Sequence, residues 1–141
     1  MKHLIRFKTF RAVWVAALTA VLAGAVAAPG LASHSPKFKK PTLQYGELTI
    51  TGTKASDKLA LRLKAGDPAT LQIDVGDDGS ANFSVARSDV TKITVRAKAG
   101  NDLVRIDEGN GSFTDTVPTT IDGGDGNDTI AGGKGNETLL G

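Results

Sequence analysis

Gly123-Gly124-Asp125-Gly126-Asn127-Asp128-Thr129-Ile130-Ala131 is followed at once by Gly132-Gly133-Lys134-Gly135-Asn136-Glu137-Thr138-Leu139-Leu140, and Gly141 opens the pattern again. Each nine-residue unit is a glycine-rich curl of six residues and a three-residue segment with an apolar centre. Gly123, Gly124 and Gly126 can take left-handed backbone angles without a Cβ penalty, so the curl can be tight. A tight curl turns backbone carbonyls and the Asp128 carboxylate toward one spot, which is the hard-oxygen donor set that Ca²⁺ prefers. Thr129-Ile130-Ala131 is a strand too short to stand alone, with Ile130 pointing inward and its neighbours outward. Leu139 takes the inward position in the second unit. A unit that cannot bury its single apolar side chain must stack on another.

The two units resemble the haemolysin-type calcium-binding (RTX) repeat, G-G-x-G-x-D-x-U-x with U a large apolar residue. The first matches at Gly123, Gly124, Gly126, Asp128 and Ile130. The second matches at Gly132, Gly133, Gly135 and Leu139 but carries Glu137 where the family has Asp. The resemblance implies a parallel β-roll that binds calcium ions. It assigns the carboxylate ligands to Asp128 and Glu137, with further oxygens from Gly124, Asp125, Gly126, Gly133 and Gly135. In that family an ion sits between turns on the same edge of the roll, two units apart. Gly123–Asp128 would then pair with a turn opened by Gly141, while Gly132–Glu137 lies on the opposite edge. The sequence is therefore expected to hold two half-sites and to be a truncated piece of a longer roll.

Fainter echoes lie upstream. Ala99-Gly100-Asn101-Asp102-Leu103-Val104 keeps the Gly-Asn-Asp and the apolar position of Asp125–Ile130, and Gly52-Thr53-Lys54-Ala55-Ser56-Asp57-Lys58-Leu59 keeps the Gly, the Asp and the apolar residue. Both lack paired glycines, and Asp102 lies 26 residues before Asp128, off the nine-residue register. They read as degenerate turns with a solvated Asp.

The N-terminus reads as an export signal. Lys2, Arg6, Lys8 and Arg11 precede an apolar run from Ala12 to Ala28, broken only by Thr19 and Gly24, and Pro29-Gly30 then stop any helix. This is the pattern of a signal peptide over residues 1–32, cut after Ala32 or, as the alternative, after Ala27. Removing it leaves thirteen basic against fifteen acidic residues, a net −2, so the +2 of the whole chain belongs to the signal. From Ala99 onward only Arg105 and Lys134 face eight carboxylates, a net −6. That balance disfavours nucleic acid and favours a cation. No stable membrane insertion is expected after cleavage, and the chain is expected to be secreted, from a bacterium in view of the repeat. It holds no Cys, so strand stacking and bound metal must do what disulfides do in other small exported domains.

Ser33-His34-Ser35-Pro36-Lys37-Phe38-Lys39-Lys40-Pro41 is basic and Pro-flanked, and residues 33–42 read as a disordered linker. Beyond it, Leu59-x-Leu61-x-Leu63, Leu71-x-Ile73-x-Val75, Phe83-x-Val85, Ile93-x-Val95 and Val104-x-Ile106 alternate with period two. Turn signals at Lys64–Pro68, Gly76–Ser80 and Ala99–Asn101 separate them. The fold class that follows is all-β: antiparallel hairpins over about Leu48 to Val85 lead into a parallel β-roll or β-solenoid, after a signal-peptide helix. Residues 43–98 form the strand region that can cap the solenoid, and 99–141 the roll.

Enzymatic chemistry finds no footing. The only histidines are His3 in the signal and His34 in the linker, so no histidine triad or zinc centre can assemble. Asp74–Gly79 fails as an EF-hand because Gly76 holds the third ligand position and Val85 the place of the bidentate Glu. Gly133-Lys134-Gly135 lacks the Ser/Thr of a phosphate loop. The sequence thus predicts a secreted, non-enzymatic calcium-binding protein in which binding couples to folding. The other readings are a metal-independent β-solenoid surface or adhesion module, and the N-terminal fragment of a longer RTX protein.

Overall fold

A computed structural model describes residues 37–141. The expected signal-peptide helix over 1–32 and the first part of the expected linker lie outside the described residues. Residues 37–41 carry no regular structure, yet Phe38 packs against the core.

The fold is all-β, as the alternation predicts. Its strands are β1 (Thr42–Gln44), β2 (Glu47–Thr51), β3 (Lys58–Lys64), β4 (Asp67–Val75), β5 (Phe83–Ala86), β6 (Lys92–Arg96), β7 (Leu103–Asp107), β8 (Thr119–Asp122), β9 (Thr129–Ala131) and β10 (Glu137–Leu140). They make two mixed five-stranded sheets, ordered β1-β2-β6-β8-β10 and β5-β4-β3-β7-β9. Both sheets draw strands from either side of residue 98.

Three antiparallel pairs are hairpins. β1 and β2 turn at Tyr45-Gly46, where both residues have positive φ (50° and 81°), the backbone demanded by the tight turns that match strand twist. β3 and β4 turn at Ala65-Gly66, and β4 and β5 across the loop from Gly76. The other pairs are parallel: β2 with β6, β6 with β8, β8 with β10, β3 with β7, and β7 with β9. Here the structure departs from the sequence reading. Parallel stacking begins at β2, not at about Val90, and β2 and β3 are not a hairpin but members of different sheets.

The connections explain this. A parallel neighbour normally requires a long crossover. Here each six-residue segment, Gly52–Asp57, Ala97–Asp102 and Gly123–Asp128, moves the chain across to the other sheet, so a short turn suffices. The return journeys differ in length. β4, β5 and a 3₁₀ turn at Arg87–Asp89 occupy the first, Glu108–Pro118 the second, and only Gly132–Asn136 the third.

The core lies where the two sheets face each other. Ile50, Val95, Ile121 and Leu139 are register partners along the first sheet. Leu59, Val104 and Ile130 are partners along the second. Phe113 and Val117, from the second return segment, are also buried in the cluster. Full burial of each such side chain is worth about 1.5–3 kcal/mol. The first column is unevenly covered: Ile50, Val95 and Ile121 are 0% exposed, whereas Leu139 is 45% exposed.

Candidate metal centre

The three six-residue turns stack in register, which brings Asp57, Asp102 and Asp128 into one column. The Asp57 N–H donates to Asp102 Oδ1 at 2.7 Å, and the Asp102 N–H donates to Asp128 Oδ1 at 2.9 Å. A second ladder runs the other way: the Asn101 N–H donates to Ser56 Oγ at 3.0 Å, and the Asn127 N–H to Asn101 Oδ1 at 3.0 Å. Backbone bonds tie the same turns, with the Asp125 N–H on the Lys98 carbonyl at 2.6 Å and the Gly100 N–H on the Asp125 carbonyl at 2.9 Å. The 26-residue separation of Asp102 from Asp128 is therefore in register after all, because the extra residues sit in the return segment.

Glycine is required where the stack is tightest. Gly124 (φ +88°) and Gly126 (φ +133°) lie in the left-handed region, and an added Cβ would run into the Lys98 carbonyl at the first and the Gly100 carbonyl at the second. Gly123 is needed for a different reason: the Asp128 carboxylate folds back over it.

The carboxylates do not share one environment. Asp57 is satisfied by its own turn, accepting from the Thr53 N–H at 2.6 Å and the Thr53 hydroxyl at 3.1 Å. Asp102 is only 2% exposed, which corrects the expectation of a solvated Asp. Its Oδ2, and Oδ2 of Asp128, are buried without any hydrogen-bond partner. Burial raises the Asp102 carboxyl above its ordinary range; the Asp57 amide opposes this, and the charges of Asp57 and Asp128 add to it. Among the described residues no Lys or Arg pairs with any member of the column. An orphaned, buried carboxylate oxygen among like charges costs free energy that a proton or a cation would relieve.

Gly133 and Gly135 lie on the opposite edge of the stack, in the return segment between β9 and β10, and Glu137 opens β10. Glu137 Oε1 accepts from the Gly133 N–H at 3.1 Å, repeating within its turn the contact that Asp57 makes with Thr53. The partner turn is supplied by Glu108 and Thr114, neither of which the repeat pattern singles out. Glu108 accepts from the N–H groups of Phe113, Thr114 and Lys134 and from the Ser112 and Thr114 hydroxyls. The Gly135 N–H donates to the Thr114 hydroxyl at 3.1 Å. Burial works to raise the Glu108 carboxyl, but the amides of Phe113 and Thr114, the Thr114 hydroxyl and the Lys134 amide outweigh it and hold it at about 2. Glu108 is thus an anionic clip between two return segments. The Glu108-Gly109-Asn110-Gly111 phrase hides it from the repeat, because Asn110 stands two places after Glu108, where a nonapeptide has its apolar residue.

The seven residues proposed from sequence therefore fall into two groups. Gly124, Asp125, Gly126 and Asp128 join Asp57 and Asp102 on one edge; Gly133, Gly135 and Glu137 join Glu108 and Thr114 on the other. Among the described residues no three His, Cys, Asp or Glu side chains converge on a single point as a metal cage. A cation at either edge would have to draw on backbone carbonyls as well. In comparisons with protein-family models, curated proteins and solved structures, the chain matches none.

Proposed function

We propose that this is an exported, non-enzymatic calcium-binding module in which the stacked turns form a β-roll. The observation that carries the reading is the buried, unpartnered Oδ2 of Asp102, with that of Asp128 beside it in the column. These two oxygens, with carbonyls of the Gly124–Gly126 segment, fit a hard divalent cation, since Ca²⁺ takes carboxylate and carbonyl oxygens together. The ion would supply the positive charge that no side chain brings to the column. Asp57 is already satisfied by Thr53, so the upper two turns hold together without metal. On the opposite edge Glu108 is saturated with hydrogen bonds, so Gly133, Gly135 and Glu137 form the poorer half-site.

Binding would couple to folding because the column exists only when the turns are stacked. Affinity on the order of 10⁻⁴ to 10⁻³ M, typical of extracellular modules, suits an exported protein. Titration calorimetry of the chain with Ca²⁺, alongside circular dichroism in chelator, tests the reading. Heat of binding with Ca²⁺ selected over Mg²⁺ is the expected result; no heat up to 10 mM would sink it (about tenfold above the weakest expected affinity).

A second reading, a metal-independent surface or adhesion module, rests on its own observation. The Oδ1 atoms of Asp102 and Asp128 already accept amides from the turn before, so the ladder is partly a structural device. It predicts full β structure and an unchanged melting temperature in chelator.

A further inference from the structure

We infer that the first two turns of the stack, with the segment before β1, form a basic face that docks on an anionic phospholipid bilayer. Lys54 lies in the turn Gly52–Asp57, Lys58 opens β3 directly after it, and Lys98 lies in the next turn, Ala97–Asp102. Lys37, Lys39 and Lys40 reach the same edge through pairing and packing. β1 runs antiparallel to β2 with Thr42 opposite Thr49, so the residues before Thr42 lie toward the end of β2 from which Gly52–Asp57 departs. Phe38 shares a cavity of about 340 Å³ with Ala55, Ser56, Lys58 and Val75, which seats the segment beside the first turn. All six lysines are exposed, and none forms a salt bridge among the described residues.

Lys98 shows that this charge is kept at a cost. Its φ is +89°, and its counterpart one turn further on, Gly124, has φ +88°. That place in the turn calls for glycine, and a residue with a Cβ is strained there. Among the described residues the Lys98 ammonium has no ion-pair partner, so no ion pair inside the fold offsets the strain. Strain of this kind gathers where a residue serves a function. The nearby carboxylates leave the face positive. Asp57 is held by Thr53, Asp77 by Arg105, and Asp102 is buried, which leaves Asp78 of the β4–β5 loop. Asp125 and Asp128 stand one turn beyond Lys98, so the edge grades from basic to acidic along the stack.

The composition of the face selects the partner. Every cation in it is lysine, a hydrated point charge without the planar fork by which arginine grips a single phosphate. Arg62, Arg87 and Arg105 are bound to their own chain instead. A chain polyanion is gripped along a groove. These lysines spread over two turns and the segment beside them, which suits the diffuse field of a layer of headgroups. Half-buried Phe38, between Lys37 and Lys39, adds an apolar group that a bilayer can meet. The contact lies on the membrane and does not span it.

Vesicle co-sedimentation tests this with the processed chain recovered after export, which lacks the apolar run of residues 12–28. The vesicles are phosphatidylcholine with about 30% phosphatidylglycerol, in chelator and at about 0.1 M salt, where surface charge is still felt. Binding to these vesicles but not to phosphatidylcholine alone is the expected result, with release by about 0.5 M salt. Lys39→Gln and Lys54→Gln each weaken it about fivefold. Lys98→Gly weakens it by a similar factor yet melts about 2–6 °C higher than the native chain, because glycine relieves the backbone. A merely structural lysine would not lose binding while gaining stability. Equal binding to neutral vesicles, binding that survives high salt, or native affinity in all three variants overturns the proposal. So does displacement by an equal phosphate concentration of soluble polyphosphate, which would make the partner a chain polyanion. Chelator keeps the outcome separate from that of the calcium titration.

Discussion

Asp102 and Glu108 show how a buried acid and a half-buried one, six residues apart, acquire opposite roles. Glu108 gathers five donors from Ser112, Phe113, Thr114 and Lys134, so its charge is an asset to the folded state. Its folded pKa of about 2 lies below the unfolded 4.5. The stability it contributes is therefore present above pH 4.5 and is lost as the pH falls toward 2. With a discount for partial exposure this amounts to about 2 kcal/mol, and urea denaturation at pH 7 and pH 3 is expected to lose roughly half of it in the native chain but not in Glu108→Gln. Asp102 runs the other way. One oxygen holds the Asp57 amide, and the other is buried with nothing to bond. Asp102→Asn keeps an acceptor for Asp57 and removes the charge. In chelator the variant is expected to melt about 2–5 °C higher than the native chain, with its response to calcium lost. A variant that melts lower, or still binds calcium at native strength, would refute the role given to that oxygen.

At the scale of elements, the six-residue turn is the unit that repeats, and glycine fixes how closely two turns can approach. Gly124 needs both a left-handed backbone and the absence of a side chain, since the Lys98 carbonyl lies where Cβ would go. Gly66, in the β3–β4 hairpin, has a similar φ of +74° with open space around it. Gly124→Ala is therefore expected to cost more than about 2 kcal/mol and Gly66→Ala about 1 kcal/mol, a contrast that chemical denaturation can read directly. The same unit decides what could be read from the chain. Period-two alternation exposes β3, β4, β5, β6 and β7, and Ala65-Gly66 marks a hairpin, because these are local signals. The pairing of β2 with β6 is not local: the Asp57 amide meets Asp102 across 45 residues, and no alternation encodes which distant strand is the neighbour. Counting nonapeptides puts Asp102 out of step with Asp128, since the count includes return segments whose length leaves the stack unchanged. The Gly-Asn-Asp echo gives the correct alignment because it compares turns only. Asp128 is legible from its glycines and Asp57 from its phrase, while Glu108 is invisible to the repeat because its partners are amides brought to it by folding.

For the molecule as a whole, stability grows with each turn added to a shared column of inward side chains, as expected where each unit contacts only its neighbours. Such a column is strongest inside and weakest at its last member. Ile121 and Leu139 are register partners on β8 and β10, chemically near-equivalent, and differ in having neighbours on two sides or one. Ile121 is 0% exposed and Leu139 45% exposed. Ile121→Ala leaves a cavity between the sheets and is expected to cost about 2–5 kcal/mol. Leu139→Ala forfeits only partial burial and is expected to cost less than about 1.5 kcal/mol. Chemical denaturation of both variants reads the contrast. A Leu139→Ala cost as large as that of Ile121→Ala would mean that residues outside β8 and β9 cover Leu139.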